Sequence, residues 1–352
     1  MRLSPFALSG LTALAACGEA DAPPPSPPAE PTARVELPLP GETESDPLEA
    51  ARVSVSDTLG KFEGELFGLA LWEHPELSFQ SAVITANGEA GLVVVPVDRG
   101  IELISVPGTF DGAVGVGYLD GGRSVVAAVS GGEAVLFAVG ADRVFTEGGR
   151  LPLSEPQSDV CLVGSTLIDV AEVPVDYIQQ PTVTLGQGES ALTVSATPIQ
   201  GLACAADATR FYVLREDGVH VLSADLAPQD GTLPAPEEAA GLTAVAGERT
   251  NLVFFARPGL SLGGEAVTVV EDGEALAVAR AAAGSGNFGS VYRDGVLAVL
   301  DADGTLRLVP WAGLARAVGA TPESASIRPP RAVSTPPELR IELPEIELPG
   351  QD

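Results

Sequence analysis

Residues Gly201 to Leu222 read GLACAADATRFYVLREDGVHVL. An apolar start is followed by an Asp207-Ala-Thr209 turn, an apolar strand, an Asp217-Gly218 turn and a third, alternating strand. Apolar residues spaced two apart give each strand one inward face, and the tight turns make neighbouring strands antiparallel. A small sheet of this kind cannot bury its apolar face alone, so it must stack on others like it.

The same cadence recurs on both sides. Arg52–Val55 is a first alternating piece. Leu66–Trp72, Phe79–Thr85, Gly91–Val97 and Ile101–Val106 then predict one four-stranded unit in about forty residues, the proportions of a propeller blade. Ala113–Tyr118, Ser124–Val129, Ala134–Val139 and Arg150–Leu153 predict a second. A third begins near Val160 and takes Leu167–Val175, Thr182–Leu185 and Ser190–Thr197. The quoted segment is the fourth. A loop after Leu226–Pro236 leads to Leu242–Val245, Leu252–Ala256 and Glu265–Val270. Ala275–Ala279, Ser290-Val-Tyr292 and the hairpin arms Val296–Leu300 and Leu306–Pro310 make the last. The expectation is an all-β chain folded as a six-bladed β-propeller of four-stranded antiparallel blades over residues 49–319. Five blades, seven blades and a β-sandwich are the alternatives. Ring closure removes open sheet edges and lets weak blades support one another.

Composition agrees: the 352 residues are 45% apolar and 19% charged, with 40 glycines and 30 prolines to supply turns. The net charge is −29, from 48 acidic against 19 basic residues, and Lys61 is the single lysine. A field of that sign repels polyanions, which excludes nucleic acid as a partner.

The N-terminus is a targeting segment. Met1-Arg2 is followed by a short apolar run, Pro5–Ala16, that ends in Leu14-Ala15-Ala16-Cys17. This resembles the bacterial lipoprotein lipobox. The resemblance implies a signal peptide over 1–17, lipid on Cys17 and a membrane partner through that lipid. Gly18 in place of an aspartate implies the outer membrane, with the domain facing the periplasm or the exterior. Residues 18–48, with Pro23–Pro28 as PPPSPP, read as a tether, and 320–352 as a Pro- and Glu-rich tail with a short alternation at Leu339–Leu348.

With Cys17 assigned to lipid, Cys161 and Cys204 remain, in the similar contexts VCLV and LACA about one repeat apart. Equivalent positions on neighbouring blades predict a disulfide if the Cα atoms come within about 7 Å; two buried free thiols are the alternative.

Several chemistries lack support. Ser165, Ser195 and Ser223 have no G-x-S-x-G setting, and Gly284-Ser-Gly286 is not followed by a P-loop lysine. His74 and His220, the only histidines, are far apart, which argues against a zinc site. Asp301-Ala-Asp303-Gly304 lacks the later ligands of a calcium loop and reads as a hairpin turn. Trp72 and Trp311 read as core.

Taken together, several segments resemble the β-propeller phytases, calcium-dependent phosphatases of myo-inositol hexakisphosphate. They are Leu71-Trp72-Glu73-His74-Pro75 with Ala90–Val94; Phe211-Tyr212-Val213 with Glu216-Asp217-Gly218-Val219; and Leu306–Trp311 preceded by Gly295–Val299. Cys161 and Cys204 match cysteine positions of bacterial members, and the likeness spans residues 53–319. It implies a calcium-dependent 3-phytase acting on phosphomonoesters of that substrate.

The ligand positions depart from the pattern. A calcium-holding Asp pair falls on Phe67 and Gly68, and a lysine-bearing turn falls on Ala86–Glu89. An NNVDV-like segment that holds an Asp ligand falls on Gly112–Val116, and a Glu falls on Gln200. Calcium needs about six to eight oxygens, and a polyphosphorylated substrate needs basic partners. The remaining catalytic candidates are Asp111, Glu216, Asp217 and Arg215; the metal candidates are Asp111, Asp159, Asp207 and Glu216. Arg99, Arg123 and Arg210 are further sources of positive charge. The expected protein is a phytase-like lipoprotein without most of its calcium and phosphate ligands, acting as a non-catalytic accessory or interaction module. Its partner would be another propeller or a periplasmic protein, and no cofactor is expected, calcium entering only if the phytase reading holds.

Overall fold

A computed structural model describes residues 50–98, 103–172, 180–187, 191–245, 251–256, 259–321 and 328. The lipobox with Cys17, the tether, Arg99 and the alternation at Leu339–Leu348 lie outside the described residues.

Two strands, β1 (Ala51–Ser54) and β2 (Asp57–Lys61), precede the blades. Blade I is β3 (Leu69–Trp72), β4 (Ala82–Ala86), β5 (Leu92–Pro96) and β6 (Ile104–Val106). Blade II is β7 (Val114–Tyr118), β8 (Ser124–Ser130), β9 (Glu133–Val139) and β10 (Phe145–Pro152). Blade III holds β11 (Asp159–Val163), β12 (Thr166–Ala171), β13 (Thr182–Leu185) and β14 (Leu192–Gln200). Blade IV is β15 (Ala203–Ala206), β16 (Arg210–Arg215), β17 (Gly218–Ser223) and β18 (Pro228–Leu233). Blade V is β19 (Gly241–Val245), β20 (Asn251–Ala256), β21 (Gly259–Leu262) and β22 (Glu265–Glu271), with the short β23 (Glu274–Ala275) hairpinned onto β22. Blade VI is β24 (Val278–Gly284), β25 (Val296–Asp301) and β26 (Thr305–Pro310), with β2 as its outermost strand. The six sheets form a six-bladed β-propeller.

In blade I both middle strands, β4 and β5, are wholly buried, because both faces of a blade pack on neighbouring blades. The ring closes through the chain's N-terminal strands. β2 pairs antiparallel with β26, and β1 runs parallel to β22 on blade V. Trp72 and Trp311 are fully buried, as expected.

Several strands depart from the sequence expectation. Asp57–Lys61 carried no signal, because DTLGK is an outer strand with no apolar alternation. Every residue of β18 is exposed, so Pro228–Leu233 lacks the pattern that marks a core strand. Blade III is not a simple meander: β12 pairs parallel with β14, and β13 folds back on β14 as the outer strand. In the last blade Ala275 belongs to the β22–β23 hairpin, the inner strand is Val278–Gly284, and Ser290-Val-Tyr292 lies in the connection before β25. Trp311 starts a helix, α1 (Trp311–Ala317), that packs its Trp311, Leu314 and Ala315 face on the core beside Val53.

Inner strands crowd around the axis, and small residues make that approach work. In β7 the run Val-Gly-Val-Gly-Tyr places Gly115 and Gly117 against blade III. A Cβ at Gly117 would lie 2.4 Å from the Gly164 carbonyl oxygen, closer than real Cβ contacts allow.

Candidate functional site

The inner strands β3, β7, β11, β15, β19 and β24 surround an axial cavity of about 450 Å³. At the end where β3, β7 and β11 begin, its mouth carries Glu65, Phe67, Asp111, Ser158, Asp159 and Arg280. Asp159 is the most constrained of these. Its Oδ2 accepts the Cys204 amide at 2.8 Å, and its Oδ1 accepts the Val160 amide at 3.1 Å. Burial pushes its carboxyl above the usual range, against the opposing pull of those amides and of Arg280. Arg280 is anchored by its own bonds, with Nε donating to the Phe67 carbonyl at 3.2 Å and Nη1 to the Ala279 carbonyl at 3.0 Å.

The Cys161–Cys204 disulfide lies just beneath Asp159, joining the inner strands of blades III and IV with Cα atoms 6.1 Å apart. The expected inter-blade bridge is therefore present.

Of the other candidates only Asp111 shares that mouth with Asp159. Asp111 is exposed and accepts the Gly131 amide at 3.0 Å, which fixes the β8–β9 turn. Asp207 stands toward the opposite end of the axis, because three residues of strand, about 10 Å, separate it from Cys204. Its Oδ1 accepts the Thr209 and Arg210 amides, both at 2.8 Å, and its Oδ2 accepts the Tyr212 hydroxyl at 2.7 Å. Arg210 pairs with it at 3.2 Å. The pairing of Ala203 with Leu214 puts the Arg215–Asp217 turn at the mouth end but outside the inner strands. There Arg215 donates to the Gln200 carbonyl at 2.9 Å, Asp217 holds His220 at 2.8 Å, and Glu216 is exposed. Among the described residues, no three His, Cys, Asp or Glu side chains form a group that could hold a metal.

Asp301 and Asp303 sit at the β25–β26 hairpin as expected. Arg307, buried beside them, reaches Asp301 at 3.2 Å and Glu271 at 2.8 Å.

Sequence reasoning missed a second polar centre where β3 and β7 end. His74 is buried there. One ring nitrogen, Nε2, meets the Ala141 carbonyl at 2.9 Å, and the other, Nδ1, accepts the Glu76 and Leu77 amides at 3.0 and 2.9 Å. This pattern fixes a neutral ring with its proton on Nε2, and burial lowers its pKa. Arg328 is also buried at this centre. The only sequence signal was the motif Trp72-Glu73-His74-Pro75; nothing local marked Arg328.

No protein-family model matches the chain, and no curated protein matches it in sequence. Among solved structures, the BBS1N chain crystallised with ARL6DN is 11% identical, with a TM-score of 0.41, covering 74% of this chain and 97% of that one. The virginiamycin B lyase of Staphylococcus aureus, solved with quinupristin, is 10% identical with a TM-score of 0.39, covering 71% and 82%. A lectin from Burkholderia pseudomallei is 18% identical with a TM-score of 0.38, covering 68% and 79%. The fold assignment rests on the strand pairing, and no function is carried over from these likenesses.

Proposed function

We propose that the chain is a phytase-like propeller that acts as an interaction module, held at the outer membrane by lipid on Cys17. One observation carries the non-catalytic half of this reading. Two positions that match calcium-holding aspartates, Gly68 and Gly115, are walled off by neighbouring backbone. A Cβ at Gly68 would lie 2.7 Å from the Gly112 carbonyl oxygen, and one at Gly115 would lie 2.8 Å from the Val160 carbonyl oxygen. Backbone cannot swing aside as the end of a side chain can, so neither position accepts a carboxylate in this packing. The surviving candidates Asp111, Asp159 and Asp207 each hold backbone amides, and Asp207 stands toward the end of the axis opposite to Asp111 and Asp159.

The test is phosphate release from myo-inositol hexakisphosphate with and without calcium. No calcium-dependent release is expected; turnover above the metal-free control would establish the 3-phytase alternative instead. The anchor has its own test, incorporation of labelled fatty acid into the wild type but not into Cys17→Ala.

A further inference from the structure

Trp72 and Tyr118 end the inner strands β3 and β7, and between blades I and II they form the walls of a pocket that holds the Arg328 guanidinium. Its Nη2 donates to Ser124 Oγ at 2.8 Å, Nε donates to the Glu73 carbonyl, and Nη1 reaches the Arg123 carbonyl at 3.4 Å. The guanidinium stands 4.5 Å from the Tyr118 ring centroid and 5.8 Å from that of Trp72. A guanidinium set against two aromatic rings, with one hydroxyl and two backbone carbonyls as acceptors for three of its nitrogens, is arginine recognition; a lysine ammonium does not reproduce that fork.

The walls are built without help from Arg328. Trp72 Nε1 donates to Ser124 Oγ at 2.9 Å. The Tyr118 hydroxyl accepts the Glu73 amide at 2.9 Å and donates to the Leu71 carbonyl at 3.1 Å. The His74 ring, bonded to the Ala141 carbonyl, braces the neighbouring loop. The site is thus preorganised, and its occupant is one side chain that follows the last blade. Beside it the same face exposes Leu77, Phe79 and Val291, with Gly289 packed against Phe79. These give apolar footing to a chain that delivers an arginine.

We infer that this pocket is a receptor for an arginine on an extended partner segment, and that Arg328 is its built-in competitor. The inference rests on the reading of the propeller as an interaction module and names the partner's chemistry. Pro329 follows Arg328, and a residue before proline is biased away from helical backbone, so the natural ligand presents its arginine from extended or turning chain.

The probe is a synthetic peptide of residues 324–330, SASIRPP, titrated into full-length wild type and Arg328→Ala while Trp72 fluorescence is followed. Saturable binding to Arg328→Ala is expected, at least about ten-fold tighter than to the wild type, whose tethered arginine competes at high effective concentration. Replacing the peptide's arginine by lysine or citrulline should weaken binding by at least about ten-fold. Equal affinity for both proteins, or indifference to the arginine, overturns the inference. If Arg328→Ala does not fold, Arg328→Lys takes its place, and a folded Arg328→Lys that binds no peptide overturns it equally. Phosphate release from phytate, measured on the same preparations, tests the interaction-module reading separately. Absence of both peptide binding and turnover removes only the arginine receptor.

Discussion

Gly115 on the inner strand of blade II stands so close to Val160 of blade III that a Cβ would lie 2.8 Å from the Val160 carbonyl oxygen. The contact belongs to the ring itself, since it sets how near two inner strands come at the axis. Gly115→Asp should therefore destabilise the fold by roughly 3 kcal/mol, from overpacking plus a buried charge, and should add no calcium affinity. Urea unfolding and calorimetric calcium titration read the two effects. Gly121→Asn, at a turn position with open space and a left-handed backbone that Asn tolerates, is the matched control and should change stability little.

Reduction, or the double change Cys161→Ala with Cys204→Ala, should lower stability by about 4 kcal/mol, the chain-entropy value for a loop of this length. The bridge spans 43 residues and ties blade III to blade IV. Non-reducing mass analysis with thiol labelling checks the bond directly, and unfolding with and without reductant checks its effect. Free thiols at both cysteines in the native protein would disprove the bridge.

His74 should make stability fall in mild acid. Its pKa is lowered chiefly by burial, so below about pH 6.5 the unfolded chain takes up a proton that the folded chain refuses. The stability contributed by the neutral ring is present above the unfolded pKa and is lost as pH falls through the depressed folded value. The limiting slope is about 1.4 kcal/mol per pH unit. His74→Asn, which does not titrate, should give a flatter curve between pH 6.5 and 5; parallel curves for the two proteins would remove His74 as the cause.

Asp207 satisfies the Thr209 and Arg210 amides and the Tyr212 hydroxyl from one buried carboxylate. Asp207→Ala should cost roughly 3 kcal/mol, because two amides, the Thr209 and Tyr212 hydroxyls and the Arg210 guanidinium lose their partner at once. Asp207→Asn keeps an acceptor for the amides and should cost less than half as much in the same denaturation experiment.

Asp159 should behave in the opposite way. Burial raises its carboxyl pKa, so at neutral pH its charge works against folding. Asp159→Asn removes that charge but keeps an oxygen for only one of the two amides, so the pH slope is the test: the wild type should gain stability relative to Asp159→Asn as pH falls from 7 toward the carboxylate range, where its carboxyl takes up a proton.

The blades were legible where apolar spacing and turn chemistry agreed. Ala134–Val139 and Val296–Leu300 are strands close to their expected bounds, because all their residues but Ala138 are buried and apolar. Pro228–Leu233 and Asp57–Lys61 were not legible, because outer strands are held by backbone pairing that leaves little trace in side-chain pattern. The Cys161–Cys204 pairing was legible from repeat spacing, since equivalent positions on adjacent blades meet at the axis.

By itself the sequence determined the all-β class, the repeated blade and its approximate length, since these follow from a period of two and from turn residues, which are local properties. Only the tertiary structure decided the partners of groups far apart in the chain. Asp207 turned toward its own turn, Gly68 and Gly115 met neighbouring backbone, and Arg328 came to lie between Trp72 and Tyr118. Those contacts depend on how the ring closes, and ring closure brings together residues whose separation in sequence carries no periodic signal.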